Sequence, residues 1–128
     1  MEYGYARTIS MGFEEADSAI RKALEAKGFG VLTEINVHDA LKNKLGVDFR
    51  RYRILGACNP PIAHQALSAD LGIGLLLPCN VVIWENDDKS TTVSAIDAGK
   101  MLAISGRDDL SPLAARVNNL LREAVDNL

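Results

Sequence analysis

The chain has 128 residues, 48% hydrophobic and 24% charged, with fourteen Lys and Arg against seventeen Asp and Glu for a net charge of −3. That length suits one domain spanning residues 1–128, able to bury roughly two thirds of the surface its unfolded form exposes, and the composition excludes a disordered, collagen-like or disulfide-stapled chain. The acidic balance disfavours a general nucleic-acid binder, which draws its affinity from neutralising phosphates.

In chain order, Tyr3 to Ile9 alternates weakly and predicts a first strand. Glu14 to Lys27 predicts a helix, because Ala16, Ile20, Ala23 and Leu24 share one face, with Gly28 placed to end it. Phe29, Val31, Thr33 and Ile35 alternate as a second strand. Asn36 is the expected cap of a short helix whose apolar stripe is Val37, Leu41 and Leu45, and Gly46 ends it. Arg51 to Cys58 is a third strand, and Asn59-Pro60 signals the start of a helix reaching about Leu71.

Val81-Val82-Ile83-Trp84 is a continuous β-branched and aromatic run, the pattern of a central strand buried on both faces. Asn86 to Lys89 is a turn cluster, so Thr91 to Ile96 returns as the hairpin partner. A short helix is expected over Gly99 to Ile104. The last begins at Ser111-Pro112, with Ser111 as cap and Leu113, Val117, Leu120, Leu121, Ala124 and Leu128 on one side. The order β-α-β-α-β-α-β-β-α predicts an α+β fold with one mixed or mainly antiparallel sheet covered by helices.

The first thirteen residues lack a basic stretch followed by an apolar run, so no signal peptide is expected, and no stretch reaches the about 20 apolar residues of a membrane span. Cytoplasmic location is the default expectation, and two cysteines fit free thiols in a reducing compartment. No GxxxxGK[ST], HExxH, CxxC or GxSxG motif is present. Gly72-Ile73-Gly74 precedes a strand rather than following one, the reverse of a dinucleotide fingerprint. An enzyme is not expected, and no catalytic residue or cofactor is assigned.

Chemistry concentrates around Cys58, Asn59, His64, Cys79 and Asp97, the candidate ligand pocket. Cys58 precedes a helix start, where unpaired N–H groups favour a thiolate. If the third and fourth strands are neighbours, Cys79 lies at the same sheet end, and with His64 the two thiols would suit a soft metal or a redox pair. The plainer expectation for both is a small core hydrophobe. Asp97 edges a glycine turn, or else caps the short helix after it. Lys42, Lys44, Arg50, Arg51 and Arg53 form the basic cluster, with Lys42, Arg51 and Arg53 the anion-site candidates. As a solvated face and edge-strand charge, the cluster needs no anion.

The run Tyr52-Arg53-Ile54-Leu55-Gly56-Ala57-Cys58-Asn59-Pro60, then Ala63 and Ala66-Leu67, then Ile73-Gly74-Leu75-Leu76-Leu77-Pro78-Cys79-Asn80-Val81-Val82-Ile83-Trp84-Glu85, resembles the DUF302 family. Glu34-Ile35-Asn36 and Ala95-Ile96-Asp97 fit the same pattern. The resemblance implies a compact α+β fold of the TT1751-like kind, often a homodimer, in small bacterial and archaeal proteins of unknown function. It implies no reaction and no catalytic residue. With Cys58 and Cys79 in place the chain resembles the cysteine-bearing branch, so a thiol or metal role would belong to that branch rather than to the fold. The function expected is a non-enzymatic homodimeric module binding a small molecule or a protein. Thiol redox or soft-metal binding is the alternative, and anion or nucleic-acid binding through Lys42 to Arg53 a weaker one.

Overall fold

The computed structural model describes residues 2–128. In chain order the elements are β1 (Gly4–Ile9), α1 (Phe13–Ala26), β2 (Gly30–Asn36), α2 (Val37–Leu45), β3 (Tyr52–Cys58), α3 (Pro60–Ala69), β4 (Cys79–Glu85), β5 (Thr91–Ile96), α4 (Ala98–Ala103) and α5 (Ser111–Asp126). Short 3-10 segments occupy Leu71–Leu76 and Asp108–Leu110. The strands form one sheet in the order β1-β5-β4-β3-β2, and every neighbouring pair is antiparallel. The sheet is thus antiparallel throughout, with β4 at its centre.

Strand alternation divides the sheet into two unlike faces. Leu55 and Ala57 of β3, Val81 and Ile83 of β4, and Val93 and Ala95 of β5 point into the core. Ile20 and Leu24 of α1 and Val117 and Leu121 of α5 meet them there. The other face carries Ile54, Val82, Trp84 and Ile96, all half-exposed. This corrects the reading of β4 as buried on both sides. Its apolar run is continuous, but only Cys79, Val81 and Ile83 are buried. A second, smaller cluster joins Ala66 of α3, Ile73, Leu102 of α4, and Leu110 and Ala114 beside and within α5.

Two local departures have physical causes. The pairing of β2 with β3 shifts between Val31 and Thr33, a bulge that exchanges the faces of the residues after it. Phe29 and Val31 therefore pack against the core, while Ile35 is exposed. Asn36 faces Arg53 across the ladder, and its Oδ1 accepts from Arg53 Nε at 2.6 Å instead of capping α2. The stripe expected on α2 is only partly covered: Val37 and Leu41 are half-buried and Leu45 is exposed. Gly46 does end the helix in the left-handed region, at φ 67.

α3 stops at Ala69, two residues short of Leu71, because Asp70 turns its carboxylate back to accept from Gly72 N–H at 2.9 Å and opens the 3-10 segment. Ser111 lies inside α5 as its first residue rather than capping it, since the preceding 3-10 turn feeds directly into the helix.

Candidate functional site

The chain leaves the sheet at Cys58 and re-enters it one strand over at Cys79, with α3 and the 3-10 segment arching between. Asn59 is extended, and Pro60 and Pro61 fill the first turn of α3 with residues whose φ suits a helix start. Ile62 and Ala66, four apart, then turn inward. The Leu77–Pro78 peptide is cis and leads into β4. Ala57 pairs with Cys79 in the register, so the third and fourth strands are neighbours and both cysteines stand at one sheet end. The register also leaves Cys58 one residue off from Cys79 rather than opposite it, and both thiols are free.

Under this arch the two core clusters do not close on each other. A cavity of about 320 Å³ lies along their seam. The sheet end contributes Phe29, Leu32, Thr33, Ala57, Cys58, Asn59, Pro78 and Cys79. α3 and the segment after it contribute Ile62, Ala63, Ala66, Leu67, Gly74 and Leu77, and α4 and α5 contribute Met101, Leu102, Leu113 and Val117. No charged side chain lines it, and its polar groups, Thr33, Asn59 and the thiols, all belong to the sheet end.

Gly56 shapes this end. A Cβ there would fall 2.8 Å from the Pro78 ring and closer still to the Thr33 hydroxyl, so only glycine lets both pack over the strand. Cys79 is buried, and burial, with the Cys58 thiol beside it, pushes its pKa up to about 11. It is a protonated, weakly nucleophilic thiol at neutral pH. Cys58 is half-buried.

Of the pocket residues expected from sequence, Cys58, Asn59 and Cys79 come together at the cavity, while His64 and Asp97 are not in its lining. His64 is exposed on α3, two residues from both Ile62 and Ala66 and hence on the opposite side of the helix. Asp97 takes the helix-capping role: its Oδ1 accepts from Lys100 N–H at 3.0 Å and from Asn118 Nδ2 at 3.3 Å, and Oδ2 lies 3.7 Å from Arg122 Nη2. Among the described residues no group of three His, Cys, Asp or Glu side chains stands close enough to hold a metal ion, so Cys58, Cys79 and His64 do not form that set. No helix among them is long and apolar enough to cross a membrane.

Among the described residues, four of the five members of the basic cluster, all but Lys44, are matched by carboxylates. Lys42 pairs with Asp48 at 2.9 Å, Arg50 with Asp87 at 3.3 Å and Arg51 with Glu14 at 2.8 Å. Arg53 is buried, with Nη1 3.1 Å from Asp17 Oδ1, Nη2 3.1 Å from Glu14 Oε1, and its guanidinium 4.9 Å from the Phe13 ring centre. Four of these five pairs reach partners far away in sequence, which is why the local run looked unbalanced.

The lining residues missed from sequence include Phe29 and those of β2, of α3 and the segment after it, and of α4 and α5. Phe29 and Thr33 carried only a strand signal, and Leu113 and Val117 a helical stripe. Nothing local separates a side chain facing a cavity from one facing solid core. Met101 carried the one faint signal, a flexible thioether of the kind that fills irregular gaps.

Comparison with known proteins follows the same outline. A family model described as "Domain of unknown function DUF302" matches residues 5–128. The crystal structure of an uncharacterized conserved protein DUF302 from Bacillus stearothermophilus is similar at 27% sequence identity, covering 99% of this chain and 98% of that one with a TM-score of 0.91. No curated protein matches the sequence.

Proposed function

The chain belongs to the DUF302 family, and from the site built on that fold we propose that it is a non-enzymatic binding module whose small-molecule site is the cavity at the Cys58–Cys79 end of the sheet. The observation that carries this reading is the cavity itself, about 320 Å³ of space opening where two core clusters fail to merge. A largely preformed apolar concavity with a few polar groups at one end is the usual form of a ligand site. The lining holds no carboxylate, no histidine and no cation, and its buried thiol is protonated, which supports binding rather than reaction. The test is a screen of neutral fragments by calorimetry against the wild type and Ala66→Leu. Hits that vanish in the filled variant are expected; hits of unchanged affinity overturn the reading.

Self-association is part of the proposal. The open sheet face places Tyr52 and Trp84 in a stack 5.8 Å apart with their rings 6° from parallel. Val82 and Ile96 lie in the same shallow depression, which also includes the exposed Tyr3. A sheet face with this much apolar and aromatic surface suits an isologous contact with a second copy. Sedimentation at micromolar concentration is expected to give twice the 13.9 kDa mass of the chain. A Val82→Asp variant is expected to give the chain mass. A wild type that sediments only as the single chain refutes this part.

A thiol-based role is the second reading, supported by one observation, that Cys58 and Cys79 line the same cavity. Thiol titration with and without reductant, beside metal analysis, tests it. Two thiols that titrate fully without reductant, in a metal-free protein, end it.

A further inference from the structure

We infer that the cavity takes a neutral, mainly hydrocarbon molecule of about two fused rings, with one hydroxyl, carbonyl or amide group directed to the sheet end. The inference rests on the cavity being the ligand site and adds the class of ligand. Its first ground is the distribution of polarity. The walls formed by α3, α4 and α5 present only apolar groups such as Ile62, Leu67, Leu102 and Val117, and the one half-buried polar side chain apart from the thiols is Asn59 at the sheet end, since Thr33 is exposed with its hydroxyl over Gly56. Waters filling such a space would lack the two to four polar partners that hold buried water. An occupant must therefore be apolar over most of its surface and polar at one end.

The second ground excludes anions. A helix N-terminus beside a cavity ordinarily offers free N–H groups to a carboxylate or phosphate. At α3 the first two positions are Pro60 and Pro61, which have no N–H. The N–H of Ala63 is already donated to the Asn59 carbonyl at 2.9 Å, so the Ile62 N–H is the one helical N–H of the first turn left to an anion. With no cation in the lining either, a buried carboxylate would lose its hydration and gain almost nothing. Cations fare no better, since the lining contains no carboxylate.

The third ground is size. An apolar cavity of roughly 150 Å³ accommodates benzene, and the space here is about 320 Å³. Met101 on one wall gives the fit some tolerance of shape. Leu32, in the lining yet 69% exposed, marks the mouth.

The test is a shape-matched pair of probes, 2-naphthol and 2-naphthoate, titrated at pH 7 while the NMR signals of Cys58, Leu67 and Met101 are followed. 2-Naphthol is expected to shift all three, and 2-naphthoate to bind roughly tenfold more weakly or not at all. Ala63→Leu, at a half-buried lining position, is expected to abolish the shifts while the far-ultraviolet dichroism stays that of the wild type. Naphthoate binding at these residues as tightly as naphthol would overturn the ligand class and leave the cavity as the site. Shifts from neither probe, or shifts only elsewhere, would overturn the class and the site together.

Discussion

Cys58 and Cys79 share a cavity but not an environment. Burial holds the Cys79 pKa near 11, above the 9.0 of an ordinary thiol, so its neutral form is favoured in the folded chain. That contribution to stability is complete below about pH 9 and is lost as pH rises through about 11. Against Cys79→Ala as reference, the wild type is expected to lose about 2–3 kcal/mol over that interval in denaturant unfolding. An unchanged difference between the two proteins would count against a buried neutral thiol. In the native protein at pH 8, alkylation is expected at Cys58 alone, with Cys79 modified only after unfolding; peptide mapping reads this directly. Arg53 is the other residue with a large stake. Arg53→Met leaves Asp17 buried with Arg21 as its remaining partner, 2.9 Å away, and is expected to cost about 2–4 kcal/mol. A loss below about 1 kcal/mol would mean that the ion-pair network contributes little.

At the scale of elements, the strands and the long helices were legible from local signals: the Asn86–Lys89 turn cluster that returns the chain as β5, and an apolar stripe from Leu113 to Leu128 in α5. What misled was any pattern whose meaning depends on a neighbour. The stripe of α2 is real in sequence, but it is only half-covered. The alternation of β2 runs unbroken through a bulge that reverses its faces, because pairing, not composition, decides where the extra residue goes. The inward face of α3, at Ile62 and Ala66, puts His64 on the other side of the helix, against the sequence expectation that it lines the pocket. Gly56 shows how tightly β3, β2 and the Pro78 entry to β4 are fitted. Gly56→Ala is expected to destabilise by about 1–3 kcal/mol in chemical denaturation, since the Pro78 ring cannot swing away. Hydrogen exchange is expected to find α2 among the least protected helices and α5, with five buried residues, among the most.

The molecule as a whole is a five-stranded antiparallel sheet with a helical layer on one face and an open, half-exposed apolar face on the other. The helical layer is divided, since α1 and α5 pack on the sheet while α3, α4 and the start of α5 form a second cluster beside it. The cavity is the space between these two packings, a property of how distant segments meet. It was legible in sequence only at one end, where Cys58, Asn59 and Cys79 cluster around proline-marked turns, and not at the other, where α4 and α5 supply the floor. The central claim is that this space exists to be filled. A crystal of the protein soaked with 2-naphthol tests it most directly. The account predicts density for the two rings between Leu67, Met101 and Cys79, with the hydroxyl within hydrogen-bonding distance of Asn59. A cavity closed by collapse of Met101 and Leu67, with no ligand in it at saturating concentration, would contradict it.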